Sequence, residues 1–159
     1  MKTRIGFGFD THRLSMGVPF FIGGIQVQSA KGAIGHSDAD VLIHAICDAL
    51  LGAANLRDIG YHFPDSAAEL KGIDSKVLLK KVVEMLAERH FTIGNIDTTV
   101  VLQQPKLKDY IPRMQETLAQ VMSISTSDIS IKAKTSEEMG FIGRGEGISA
   151  YAVALIEAE

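Results

Sequence analysis

The chain's capacity for chemistry rests on nitrogen and oxygen donors: five histidines and nineteen acidic residues stand against one cysteine, Cys47. A single cysteine excludes an internal disulfide and a cysteine-based zinc site, so any bound metal must use His, Asp and Glu. Asp10-Thr11-His12 closes a strand-like segment, and in a strand residues two apart point to the same face. Asp10 and His12 can therefore reach one ion together, although such a pair at a strand end equally serves ordinary loop contacts. The segment His36 to Asp48 says more. Asp40, His44 and Asp48 recur every fourth residue and share one stripe of a helix. A solvated helix face has the same spacing, but the neighbours Ile43, Ala45, Ile46 and Leu50 predict an enclosed helix. A ligating histidine commonly donates its second ring N–H to a carboxylate, and Asp40 or Asp48 is expected to serve His44 in that way. Two histidines and one carboxylate leave a fourth coordination position open, the pattern of catalytic rather than structural zinc. Manganese, cobalt or iron suits the same donors.

Other chemistries have less support. Cys47 lies near His44 in sequence but sits on the apolar part of the helix, where packing is its expected role, and no Ser-His-Asp set stands out. The glycines at 140, 143, 145 and 147 form a loop without the G-x-x-x-x-G-K-[ST] pattern of a nucleoside triphosphate cradle. The formal charge of −3 argues against general binding to nucleic acid, which calls for a basic face. The longest apolar run, Ala150 to Ile156, is far below the roughly 20 residues that span a bilayer, so no membrane partner is expected. Met1-Lys2-Thr3 leads directly into a strand-like segment without a signal peptide pattern, and a reducing cytoplasm is the expected compartment.

These residues must be placed by a fold. With 159 residues, 46% hydrophobic and 22% charged, one domain over 1–159 with a sizeable core is expected. Strands are predicted over Thr3–Asp10, Phe20–Val27 (with a bulge or close backbone approach at Gly23-Gly24), Ile96–Gln103, Ile129–Thr135 and Ile148–Ile156. Helices are predicted from a Ser37 or Asp38 cap to about Ala54, from an Asp74 or Ser75 cap to about His90, and from Ile111-Pro112 to about Met122. Residues 55–71 read as loop, with Phe63-Pro64-Asp65 as a turn signal. Strands alternating with helices give an α+β fold, a single-domain α/β sandwich with βαβ units and a mixed sheet packed by helices.

The ordered motifs resemble one family. Gly6-Phe7-Gly8-Phe9-Asp10-Thr11-His12, Ser37-Asp38-Ala39-Asp40-Val41-Leu42-Ile43-His44-Ala45, Asp48 to Ala54, Asp58-Ile59-Gly60 and Phe63-Pro64-Asp65 are similar to blocks of the 2-C-methyl-D-erythritol 2,4-cyclodiphosphate synthases of the non-mevalonate isoprenoid pathway. Gln104-Pro105-Lys106, Thr135-Ser136-Glu137 and Gly140 to Gly147 continue the match nearly to the end of the chain. The resemblance implies a substrate, 4-diphosphocytidyl-2-C-methyl-D-erythritol 2-phosphate, whose 2-phosphate attacks its own β-phosphorus and releases CMP. It implies zinc on Asp10, His12 and His44, with a second divalent ion, magnesium or manganese, beside Glu137. His36, Ser37 and Asp65, with Phe63 in the same segment, are implied for the methylerythritol phosphate, and Asp58 and Gly60 for the ribose. Leu102, Lys106, Ala133 and Thr135 are implied for the cytosine, with Thr135 also orienting the diphosphate. Phe141 and Arg144 are implied among the substrate-binding residues. Members are homotrimers with active sites between neighbours, which implies Phe9, Arg144 and Glu146 near the three-fold axis and an isoprenoid diphosphate in an apolar axial cavity. Arg144 and Glu146 equally suit a plain interfacial ion pair. Lys132 and Lys134 can add positive potential or stand as solvated side chains, and Lys134 and Ser136 depart from the threonines common at those positions.

Charge repulsion explains why such a reaction needs cations: two unit charges about 4 Å apart repel by roughly 4 kcal/mol at an effective dielectric near 20. Two further readings use the same residues. One is a zinc-dependent phosphohydrolase that activates water on the three ligands. The other is a trimeric protein that binds nucleotides or isoprenoid diphosphates without turnover.

Overall fold

The glycines of the first strand decide how the molecule is built. In the computed structural model, which describes residues 2–158, strand β1 (Lys2–Met16) carries Gly6 and Gly8 on its buried face, directly beneath helix α1 (Val41–Ala53). A Cβ on Gly6 would overlap the Ala49 carbonyl and one on Gly8 the Ala45 carbonyl, so only glycine permits this closeness. The strand pairs along its length with β7 (Gly147–Ala158), which places Ala150, Ala152 and Ala154 on the same buried face. Helix α1 answers with small residues of its own, Ala45, Ala49 and Ala53.

Four further strands follow: β2 (Phe20–Ile22), β3 (Ile25–Val27), β4 (Lys31–Ile34) and β5 (Phe91–Val101), before β6 (Ile129–Lys134) and β7. The main sheet has the order β4-β1-β7-β5-β6, and β2 pairs with β3 apart from it. All main-sheet pairings are antiparallel except β5 with β6. That parallel pair is joined through helix α4 (Ile111–Met122) and is one βαβ unit. Helix α3 (Ser75–Glu88) packs between α1 and α4, so α1, α3 and α4 form a layer against the sheet, and Ile96, Thr98, Val100, Ile129 and Ile131 bury beneath it. The mixed α+β arrangement of sheet and helices agrees with the sequence reading, as does the wholly buried Cys47, whose thiol burial pushes well above its ordinary range.

Several boundaries differ. β1 runs on to Met16 because β7 and then β4 continue to pair with it. The expected single strand over Phe20–Val27 is instead the hairpin β2–β3: Gly23 and Gly24 have φ of 63° and 78° and form its turn, a conformation open to glycine. β4 was not foreseen, being four residues with a glycine at the sheet edge. Within 55–71 a short helix α2 (Ile59–His62) and a 3-10 turn (Ala68–Leu70) interrupt the loop, and the glycine-rich loop begins with a single turn, α5 (Gly140–Gly143). Helix α1 starts later than expected, with Asp40 rather than Ser37 or Asp38 as its cap, because residues 36–38 bond instead to the segment before α3: Gly72 N–H donates to the His36 carbonyl and Asp38 N–H to the Ile73 carbonyl.

The opposite face of β1 and β7 is apolar and bare. Ile5, Phe7 and Phe9 are 70%, 63% and 48% exposed, and Tyr151 and Val153 stand beside them. Phe9 and Tyr151 already form a tilted aromatic pair with ring centroids 5.2 Å apart.

The seam beneath α1 yields a prediction. Gly8→Ala forces the helix off the strand and is expected to cost about 3 kcal/mol or more, seen as a lower urea midpoint or as failure to fold. Gly52→Ala, within α1 but with no atom near its would-be Cβ, is expected to raise stability by about 0.5–1 kcal/mol. Equal midpoints for the two variants would refute the seam.

Candidate metal centre

Asp10 and His12 follow Gly6 and Gly8 on the same face of β1, and the helix above brings His44 to meet them. The register is set by the seam: Gly6 lies under Ala49 and Ala53, Gly8 under Ala45 and Ala49, so the next inward residue, Asp10, falls at the following turn of α1, where His44 projects. Three ligand atoms converge there. Asp10 Oδ2 lies 2.7 Å from His12 Nε2 and 3.0 Å from His44 Nδ1, and the two ring nitrogens are 3.1 Å apart. Among the described residues this is the group of acidic, histidine or cysteine side chains that could hold an ion.

The outer face of the His12 ring fixes its proton. Nδ1–H donates to the Ile34 carbonyl at 3.0 Å, an oxygen that can only accept, so the neutral ring turns the lone pair of Nε2 toward Asp10 and His44. Three electron-rich atoms facing one point are stable only with a positive charge among them. Burial works to raise the Asp10 carboxyl, but the hydrogen bonds and charges of His12 and His44 outweigh it and hold it at about 2. For His12, burial works to lower the ring and the Asp10 carboxylate outweighs it, leaving the ring above its ordinary 6.5. The spacings suit a small divalent cation, since zinc with ligands at about 2.0–2.1 Å sets tetrahedral edges near about 3.3 Å. The donor set, two imidazoles and one carboxylate, leaves room for a further ligand.

The expected outer partners of His44 are elsewhere. Asp40 is wholly buried and takes three backbone amides: Gly23 at 3.0 Å and Ile43 at 3.1 Å on one oxygen, Gly24 at 2.7 Å on the other. It caps α1 and ties the β2–β3 turn to it; burial pushes its carboxyl up to about 6, against the pull of the Gly24 and Ile43 amides. Asp48 accepts from the Ile59 amide at 2.7 Å, and burial raises it too. The partner of the outer nitrogen of His44 is a hydroxyl that the sequence reading treated only as a helix cap: Ser75 Oγ lies 2.9 Å from Nε2, with Ser37 Oγ at 3.1 Å. Asp74 caps α3, accepting from the Lys76 amide, which leaves the Ser75 hydroxyl for other work. No spacing rule marks such a serine, since its partner is thirty-one residues away.

Around the triad lies a cleft of about 380 Å³ lined by Asp10, His12, His36, Ser37, His44, Gly60, Phe63 and Asp65, with Ile59, Ile73 and Leu78 among its apolar walls. His36 Nε2–H donates to the Ala67 carbonyl, which fixes the ring at the rim. Asp58 is not in the lining; it caps α2 by accepting from the Tyr61 amide at 2.9 Å. Leu102, Lys106, Ala133 and Thr135 come together in a second cleft of about 280 Å³ with Pro105 and Lys134, and the two clefts share no lining residue. Glu137 stands exposed with its backbone N–H donating to Thr135 Oγ1, outside the triad. Phe141 and Arg144 line neither cleft, and Arg144 pairs with Glu146 at 2.9 Å. Lys132 is not free to add potential: Asp97 takes its ammonium with both oxygens at 2.7 Å.

The chain is similar to known proteins over nearly its whole length. Residues 3–157 match the model of the YgbB family. A 2-C-methyl-D-erythritol 2,4-cyclodiphosphate synthase of Bacteroides thetaiotaomicron is 62% identical over 159 residues, the whole of both chains. Among solved structures, the bifunctional IspDF of Campylobacter jejuni superposes with a TM-score of 0.96 at 38% identity, covering 99% of this chain and 43% of that longer one. An IspF of Plasmodium falciparum in complex with CDP superposes with a TM-score of 0.87 at 30% identity, covering 99% of this chain and 97% of the other. With the family model spanning nearly every residue and so similar a relative end to end, this chain belongs to the YgbB family, enzymes with the cyclodiphosphate synthase activity of isoprenoid biosynthesis.

Proposed function

We propose that the whole chain is one synthase domain that closes 4-diphosphocytidyl-2-C-methyl-D-erythritol 2-phosphate into the 2,4-cyclodiphosphate and CMP, at a centre made by Asp10, His12 and His44. The observation that carries this reading is the meeting of two imidazole nitrogens and one carboxylate oxygen within 2.7–3.1 Å at the floor of the first cleft. In the reaction an oxygen of the 2-phosphate bonds to the β-phosphorus, the bond from that phosphorus to the bridging oxygen breaks, and CMP departs with the electron pair. A zinc ion on the triad and a magnesium or manganese ion beside Glu137 supply, when bound, the positive charge that lets one anion approach another. The side chains do the placing. His36, Ser37 and Asp65 line the wall where the methylerythritol phosphate would lie, with Phe63 as its apolar neighbour. Asp58 keeps one carboxylate oxygen beyond its cap bond for the ribose, next to Gly60. Leu102, Lys106, Ala133 and Thr135 form the second cleft, where the cytosine would lie, and Thr135 donates to Glu137 on the side where the diphosphate would pass. Because the attacking phosphate oxygen is already anionic and CMP departs as an anion, no proton need be removed or supplied, and positioning and charge stabilisation suffice without a strong base.

The separation of the two clefts supports a homotrimer, in which the cytosine cleft of one copy completes the metal cleft of its neighbour. So does the bare face of Ile5, Phe7, Phe9, Tyr151 and Val153: apolar area of this kind on a sheet marks a contact surface. Arg144 and Glu146 stand at the end of that face next to Phe141, and an isoprenoid diphosphate is the ligand an apolar axial cavity with arginines at its mouth would take. The lone buried thiol and the absence, among the described residues, of a helix long and apolar enough to cross a membrane suit an enzyme of the cytoplasm.

Three measurements test these assignments. His44→Ala is expected to abolish CMP release and to lose bound zinc by elemental analysis while the circular dichroism spectrum stays that of the parent; unchanged turnover would refute the centre. Glu137→Gln is expected to shift the magnesium titration of activity to higher concentration, and a superimposable titration would remove Glu137 from the second ion. Phe7→Asp is expected to sediment near the 17.2 kDa of one chain where the parent sediments near three times that mass. Release of a linear bisphosphate in place of the cyclic product would identify a hydrolase.

A further inference from the structure

We propose that Ser75, held by Asp38, is the residue that fixes the ring of His44 in the form a metal ligand needs, with the proton on Nε2 and the lone pair of Nδ1 turned to Asp10 and His12. The inference rests on reading Asp10, His12 and His44 as a metal centre. It follows from counting protons. A serine hydroxyl has one proton to give. The Asp38 carboxylate, which only accepts, makes the shortest contact of Ser75 Oγ, so the proton of Ser75 points to Asp38. Toward His44 Nε2, 2.9 Å away and the nearer of its two hydroxyls, Ser75 can then only accept, and a hydrogen on Nε2 is what completes that bond.

Asp38 cannot readily turn away. Its Oδ2 takes the backbone N–H of Ser75 at 3.0 Å, its Oδ1 takes the N–H of Asp40 at 3.1 Å, and its own N–H donates to the Ile73 carbonyl at 3.0 Å. Ser75 is the first residue of α3 and is 0% exposed, so no bulk water replaces the hydroxyl. The other hydroxyl at Nε2, Ser37 Oγ, is half-buried and lines the cleft; it accepts from the Ala39 amide, and its own proton has an acceptor in Ser75 Oγ, 3.4 Å away, so it too can accept from Nε2. The two histidines are thus held alike. Each has its outer nitrogen against an oxygen placed to accept: the Ile34 carbonyl for His12, and for His44 a buried hydroxyl whose proton goes to the Asp38 carboxylate. Ser75 is a positioning residue, since it acts through His44 and lines no part of the cleft.

The test reads metal affinity and the imidazole proton separately from turnover. Ser75→Ala is expected to weaken zinc binding, measured by competition with a chromophoric chelator, by about 10- to 100-fold, the usual effect of removing such a partner. Ser37→Ala is expected to bind zinc like the parent. In zinc-loaded parent protein with 15N-labelled histidine, the His44 Hε2 proton is expected as a slowly exchanging downfield resonance, lost in Ser75→Ala. A Ser75→Ala variant with the parent's zinc affinity, or a His44 Hε2 exchanging too fast to observe in the parent, overturns the proposal and leaves the metal centre standing. The measurement on the parent decides the matter even if Ser75→Ala does not fold. His44→Ala binding zinc like the parent would overturn the centre itself and this inference with it.

Discussion

The close approach of helix α1 to strand β1 is the constraint on which the rest depends. Two residues of strand advance about 6.7 Å and four residues of helix about 6 Å, so a strand glycine every second position can lie under a helix residue every fourth. Gly6 and Gly8 against Ala45, Ala49 and Ala53 realise that match, and Ala150, Ala152 and Ala154 widen it across β7. A larger side chain at either glycine would lift the helix from the sheet, and the His44 ring would no longer reach Asp10. The candidate metal centre is therefore built on two regular elements whose separation is fixed by packing rather than by a loop, the condition under which ligands hold their positions within a fraction of an ångström.

The same strand sets the other surface. Its alternation sends Gly6, Gly8, Asp10 and His12 inward while Ile5, Phe7 and Phe9 face out, so one fifteen-residue strand carries both the chemistry and the apolar face proposed for assembly. The cost of leaving such a face in water is a reason for copies to associate, and in the proposed trimer the cleft of Leu102, Lys106, Ala133 and Thr135 would be brought to the metal cleft of a neighbour. A change at Phe9, two residues along the backbone from Thr11 and one from Asp10, would thereby act on both.

Much of this was legible in the residues. The D-x-H pair needed only the two-residue repeat of a strand, and the helix around His44 announced itself by its apolar neighbours. The parts that escaped depend on partners far apart in sequence. Asp40 has the spacing of a partner for His44, yet its carboxylate turns to Gly23, Gly24 and Ile43, because a buried turn and a helix start each offer amides that must be satisfied. Asp48 is taken by the Ile59 amide for the same reason. Ser75 carries no pattern of its own: serine at the start of a helix reads as a cap, and only the folded arrangement shows that Asp74 has that task. The Gly23-Gly24 turn and β4 were missed because three- and four-residue strands offer too few alternations for a period to be read.

The displacement of those two carboxylates from His44 also makes electrostatic sense. The chain is acidic, with a formal charge of −3, and several of its cations near the clefts are already engaged: Lys132 with Asp97, Arg144 with Glu146, Lys31 with the Gly145 carbonyl. In the proposed reaction a substrate bearing three phosphate groups would then find most of its countercharge in cations held by the triad and beside Glu137. Two neutral imidazoles and one carboxylate would subtract a single charge from a dication held there, leaving it net positive. A second carboxylate from Asp40 or Asp48 within that cluster would cancel what remains. By spending Asp40 on backbone amides and holding His44 through a serine, with the Asp38 charge one hydroxyl further out, the fold orients the ring without placing another anion against the metal site.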